Sequence, residues 1–149
     1  MNLRLITGVT DINENVLRDW PLPMPSADGD KEERGRILVI GGSREMPGAV
    51  ILAATAALRA GAGKLTIATG KSVAHLVALA IPESRVIGLP ETEEGGIAPS
   101  SARSFERLAG QLDAVLIGPG MEDETATAEF VRALFPFLSG AGIVLDAYA

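Results

Sequence analysis

Five short apolar runs, each set apart from the next by a longer segment, constrain this chain more than any other feature. They are RILVI (36–40), KLTIA (64–68), SRVIG (84–88), DAVLI (113–117) and GIVLD (142–146). Several are almost continuously apolar, and a strand reads that way when both of its faces are covered. Between them, amphipathic segments fit helices over 47–60, 72–80, 100–108 and 124–138. Strands alternating with helices predict right-handed βαβ units, and so a mainly parallel sheet inside a three-layer α/β/α sandwich. Composition agrees: 47% of the residues are hydrophobic but only 4% aromatic, which leaves Val, Ile, Leu and Ala to fill the interior.

Residues 1–31 precede this pattern and read as an N-terminal arm, with 32–149 as the sheet-bearing domain. In the arm, Thr10 or Asp11 is placed to cap a short helix that runs to about Trp20, because either side chain accepts the first free N–H groups. Pro21, Pro23, Pro25, Ser26, Asp28 and Gly29 then forbid regular structure. The stretch ETEEGGIAPS (91–100) reads as an exposed acidic loop. GIVLDAYA reads as a buried parallel strand with no helix behind it. The sheet is therefore expected to be incomplete at its C-terminal side, through truncation or because another chain or a second copy completes it.

Charge and residue usage exclude several classes. The net charge of −6, with basic residues scattered, argues against a nucleic acid partner. Without cysteine there is no disulfide framework, thiolate metal site or thiol nucleophile. No run reaches the roughly 18 apolar residues of a membrane span, and MNLRLITGVT lacks the core of a signal peptide. The expected location is the cytoplasm.

Two glycine turns carry the chemistry. Gly41 and Gly42 follow the first strand, Ser43 adds a hydroxyl, Pro47 suits a first helical turn, and Gly48 and Ala49 leave the helix start bare. Free N–H groups there, with the helix dipole behind them, favour a phosphate or other anion; otherwise the small residues pack helix on sheet. The spacing is not GxGxxG. Gly118-Pro119-Gly120 ends the fourth strand, at the sheet edge where ligands of open α/β sheets gather. There it forms either a binding turn or a plain tight turn. Glu122, Asp123 and Glu124 suit the next helix N-terminus but repel an unscreened phosphate. Gly70-Lys71-Ser72 only mimics a P-loop, since Leu65 stands where its first Gly belongs. His75, the one histidine, reads as a helix-surface or partly buried residue. Asp146 closes the last strand, either as a polar site residue or as a cap.

Taken in order, Lys31, the GRILVIGGS segment (35–43), Pro47-Gly48-Ala49, ALRAGAG (57–63), Ile81-Pro82-Glu83, Ile117-Gly118-Pro119-Gly120 and Val144-Leu145-Asp146-Ala147 form one pattern. It resembles the ADP/ATP-dependent NAD(P)H-hydrate dehydratases, ribokinase-like proteins also known as carbohydrate kinases. VTDINENVLRDWPLP resembles the arm of that family. The resemblance implies a lyase that repairs NADHX and NADPHX by nucleotide-driven dehydration, with ADP or ATP and Mg²⁺ as cofactors. It implies that Ala49 and Gly120 line the hydrate site, with Gly42, Ser43 and Gly118 beside them.

Three positions depart from the family pattern: Asp30 replaces a His, Glu122 replaces the last Gly of Gly-Pro-Gly-x-Gly, and Tyr148 replaces an Asp. The Gly-x-Gly-Asp motif, which in the family supplies the anion hole and the catalytic Asp amid the nucleotide-binding residues, does not occur in these 149 residues. No catalytic, metal or nucleotide-binding residue is therefore assigned, and the chain alone is expected to be catalytically silent. Two alternatives stay open: a nucleotide-binding or interaction module completed by a partner chain, and a sugar kinase fragment.

Overall fold

Each of the five apolar runs becomes a strand, close to its expected ends. The computed structural model describes residues 12–19 and 34–149. In chain order these form α1 (Glu14–Asp19), β1 (Arg36–Ile40), α2 (Pro47–Arg59), β2 (Lys64–Gly70), α3 (Ala74–Ala80) and β3 (Arg85–Leu89). A 3₁₀ segment (Pro99–Leu108), β4 (Ala114–Ile117), α4 (Glu124–Leu134), a 3₁₀ turn (Phe135–Phe137) and β5 (Gly142–Leu145) follow. All strand pairs are parallel, in the order β3-β2-β1-β4-β5.

Alternate residues of a strand face opposite sides of the sheet, and β1 divides its side chains accordingly. Leu38 and Ile40 join Val115, Ile117, Phe105, Phe130 and Leu134 in one core. Val39 joins Val50, Ala54, Leu65, Ile67 and Val77 in the other. The 3₁₀ segment and α4 supply the first core, α2 and α3 the second, which makes three layers. Burying each of these Val, Leu, Ile or Phe side chains contributes about 1.5–3 kcal/mol. Phe105 and Phe130 meet edge to face with centroids 6.1 Å apart.

Several expectations change. The segment expected as a helix over 100–108 is a 3₁₀ segment, Pro99–Leu108. Ala102, Phe105 and Leu108, spaced by three, fall in one row at three residues per turn and pack into the first core. The helix expected to reach residue 138 stops at Leu134, because Pro136 has no N–H to continue it. The helix expected from Ser72 starts at Ala74, since Glu91 holds the Ser72 N–H (2.8 Å) and hydroxyl (2.7 Å) in a turn. Near the N-terminus, Asn13 caps α1 through Asn15 N (3.0 Å) and Val16 N (3.2 Å). Thr10, Asp11 and Trp20 lie outside the described residues, as do the prolines of the arm.

The acidic loop is only partly exposed. Glu93 and Glu94 face solvent, but Gly95, Gly96 and Ile97 are buried, and a β-bridge joins Glu91 to Ile97. The last strand was expected to be buried and is not: Val144 is 60% and Leu145 45% exposed. β5 pairs with β4 alone, and only Ile143 of its side chains packs against the first core.

Candidate functional site between β1 and β4

The strand order reverses next to β1. The chain leaves β1 for β2 on one side and later returns to β4 on the other. The loop after β1 leads to α2 in one helical layer, and the loop after β4 leads to α4 in the other. Loops that part in this way open a crevice at the carboxyl ends of the strands. Both glycine turns meet there.

The turns are tied directly to each other. Gly42 N donates to Pro119 O (2.7 Å), Gly118 N to Ile40 O (3.1 Å) and Gly41 N to Ala68 O (3.0 Å). These hydrogen bonds fasten the two turns to each other and to the sheet. A buried N–H must find a partner, and the carbonyls at hand belong to the neighbouring strands and to the turn after β4.

Gly118 and Gly120 are required by this geometry. Gly118 has φ +123, and a Cβ there would collide with the Asp146 carbonyl. Gly120 has φ +71, and its Cβ would lie 2.8 Å from the Ala49 Cβ and 2.7 Å from Met46 O. The structure therefore brings Gly42, Ala49, Gly118 and Gly120 to one wall, with Gly120 and Ala49 in contact. Gly48, one residue earlier on α2, faces open space, with nothing within 4 Å of a Cβ.

Ser43 belongs to the same wall. It is 2% exposed; its hydroxyl accepts from Met46 N (3.1 Å) and donates to the Glu122 carboxylate. Met46 precedes Pro47, the first residue of α2, so Ser43 organises the start of that helix. Glu122 brings a negative charge to the place where a phosphate would otherwise meet the helix N-terminus. Its two neighbours act differently. Asp123 caps α4 through Ala126 N (2.9 Å) and accepts from the Thr92 hydroxyl (3.0 Å). Glu124 occupies the first turn of α4.

Asp146 meets the wall through its backbone. Its N–H donates to Ile117 O (2.8 Å), its carbonyl faces Gly118, and the residue is exposed. His75 is exposed on α3. At the P-loop look-alike the Glu91 carboxylate fills the position of an anion beside Ser72, which rules out phosphate binding there in this conformation. Among the described residues no three His, Asp or Glu side chains converge to hold a metal ion, and no helix is long and apolar enough to cross a membrane.

One residue of the crevice is not visible to sequence reasoning. Thr69, at the end of β2, is fully buried, and its hydroxyl has no hydrogen-bond partner among the described residues. It lies under Gly42, 2.8 Å from the position of a Cβ there. A Thr within a β-branched strand gives no signal that separates this role from ordinary packing.

Comparison with known proteins shows the family. The sequence profile of the family described as NAD(P)H-hydrate dehydratase matches residues 37–149. The ADP-dependent (S)-NAD(P)H-hydrate dehydratase of Xanthomonas campestris pv. campestris is 49% identical over 124 residues, covering 83% of this chain and 42% of that protein. The bifunctional NAD(P)H-hydrate repair enzyme Nnr of Moorella thermoacetica is 40% identical over 124 residues, covering 83% of this chain and 23% of that protein. Among solved structures, the Bacillus subtilis ADP/ATP-dependent NAD(P)H-hydrate dehydratase co-crystallised with ATP and Mg²⁺ superposes with a TM-score of 0.65 at 28% identity. That match covers 86% of this chain and 42% of the other. A ribokinase-like protein of Enterococcus faecalis, at 24% identity and a TM-score of 0.65 over 82% of this chain and 39% of its own, shares the fold. The chain thus spans less than half the length of these relatives.

Proposed function

This chain belongs to the NAD(P)H-hydrate dehydratase family, and from that premise we propose that it carries the hydrate-holding wall of a nicotinamide-cofactor repair site. The reaction served is the nucleotide-driven dehydration of NADHX or NADPHX. One observation carries the reading: the Gly42–Pro119 hydrogen bond (2.7 Å) and the Gly120–Ala49 contact gather both glycine turns into one surface at the strand-order reversal. Gly42 and Gly118 are buried against the protein, which leaves Ala49 and Gly120 as the partly exposed face. Residues this small let a flat ring approach the backbone closely. Glu122 at its edge, held by the buried Ser43 hydroxyl, offers an exposed carboxylate to a hydroxyl-bearing ligand, and Asp146 stands at the rim.

Relatives are named for ADP or ATP dependence. The share of this chain is the substrate surface, and nucleotide and Mg²⁺ are not assigned to its described residues. Residues 32–149 accordingly act as the N-terminal half of a ribokinase-like domain and residues 1–31 as its arm.

A thermal-melt titration of the chain with NADHX tests the reading. Saturable stabilisation is expected, about 2.7 kcal/mol at one hundred times the dissociation constant. The response should vanish in Ala49→Phe, whose ring fills the wall, while that variant still melts cooperatively. An equal response in both proteins would remove the wall as the site. Incubation with NADHX, ADP and Mg²⁺ is expected to give no turnover, since the Gly-x-Gly-Asp motif is not in this sequence. Clear turnover overturns that division of labour.

β5 pairs with β4 alone, and Val144 and Leu145 are exposed on its two faces, which motivates a second reading, in which another polypeptide pairs with this edge. Light scattering during size exclusion separates the two: a stable dimer supports pairing between copies, and a monomer with a cooperative melt opposes it.

A further inference from the structure

Parallel strands place all their first residues at one end of the sheet, a strand's length of about 15 Å from the crevice at about 3.3 Å per residue. Two adjoining clefts open at that end. One, of 460 Å³, is lined by Arg36, Lys64, Arg85, Glu83 and Gln111 among others. The second, of 600 Å³, is lined by Arg85, Arg103, Arg107, Ser104, Glu106 and Gln111, with Ile87 and Leu108 also on its walls. Arg85, Leu108 and Gln111 belong to both clefts.

The second cleft carries three guanidiniums against the one carboxylate of Glu106, in a chain whose net charge is −6. Among the described residues Arg85, Arg103 and Arg107 form no ion pair. Charges of one sign lining one concavity concentrate counter-ions of the opposite sign there. The volume suits a small molecule, and the planar guanidinium fork matches phosphate oxygens two at a time. Gln111 is held in place by its own Nε2, which donates to Arg107 O (2.8 Å). That bond also fixes the backbone on which Arg107 stands.

We infer that this cleft is a second, separate ligand site, which takes a compact phosphate anion of two or more negative charges. Arg85 opens β3, while Arg103 and Arg107 come from the 3₁₀ segment. Occupation therefore bridges the β3 edge of the sheet to the layer that covers it. The site is independent of the crevice between β1 and β4, and a failure of either reading leaves the other standing.

The test is calorimetric titration of the full chain with inorganic pyrophosphate at constant ionic strength, with a parallel titration by ADP. Saturable binding of pyrophosphate is expected. In the exposed double variant Arg103→Ala/Arg107→Ala and in Arg85→Ala the affinity should fall about tenfold or more, since one charge-assisted hydrogen bond is worth about 1.5–3 kcal/mol. Arg18→Ala, on α1, should leave it unchanged. If ADP competes with pyrophosphate and its affinity falls in the same variants, the source is a phosphate ester; if it does not compete, the site takes free phosphates. Ala49→Phe should not alter pyrophosphate binding, which keeps this result distinct from any at the crevice. Equal affinity in wild type and double variant, or no saturable heat in wild type, overturns the inference.

Discussion

Ser43 and Glu122, 79 positions apart in sequence, share a hydrogen bond that locks the turn after β1 to the turn after β4. The Ser43 oxygen also accepts from Met46 N at 3.1 Å, so one buried hydroxyl serves the helix start and the crevice together. Removing it in Ser43→Ala leaves Met46 N and the carboxylate without this partner. The expected loss is about 0.5–1.5 kcal/mol, the net worth of an ordinary hydrogen bond, because Met46 and Glu122 are exposed and water reaches both. Urea unfolding measures it; an unchanged midpoint would mean that water replaces the hydroxyl without cost.

Glu122→Gln keeps an acceptor for Ser43 and removes the charge. Ligands with phosphate groups should then bind the crevice more tightly. The gain is expected to be a few-fold, because Glu122 is exposed and such charges contribute only about 0.2–1 kcal/mol. Titration with NADH at low and high salt checks this. The difference between the two proteins should shrink as salt screens the carboxylate.

Two glycines on either side of Ala49, one before it in the chain and one packed against it, should respond with opposite signs. Gly120→Ala places a Cβ at φ +71 and against Ala49, and the left-handed conformation alone costs about 1–2 kcal/mol. Gly48→Ala, in the first turn of α2 with nothing within 4 Å, should stabilise by about 0.5–1 kcal/mol through reduced freedom of the unfolded chain. Melting temperatures that move in the same direction would contradict this geometry.

Phe130 is fully buried, while Phe135, five residues later, is 45% exposed. Phe130→Ala should cost about 3–5 kcal/mol by opening a cavity in the first core and removing the ring that meets Phe105. Phe135→Ala should cost much less. Chemical denaturation of both variants decides whether α4 seats its Phe130 side in the sheet as described.

The sequence by itself determined the strands, the parallel three-layer class and the two glycine turns. Apolar runs buried on both faces leave a one-dimensional pattern, and glycine marks sharp turns wherever they fall. Family membership was legible for the same reason, as motifs kept in order along the chain. Tertiary structure alone decided where the polar groups go. The Gly42 amide turns to the Pro119 carbonyl and the Gly118 amide to that of Ile40, and Glu122 reaches Ser43. The Thr69 hydroxyl lies buried under Gly42, and Glu91 fills the turn at Ser72. The arginine cleft, with Arg85 on one element and Arg103 and Arg107 on another, was equally hidden. Hydrogen bonds and charges act through space over a few ångströms, and only the strand order β3-β2-β1-β4-β5 brings residues so far apart in the chain within that reach.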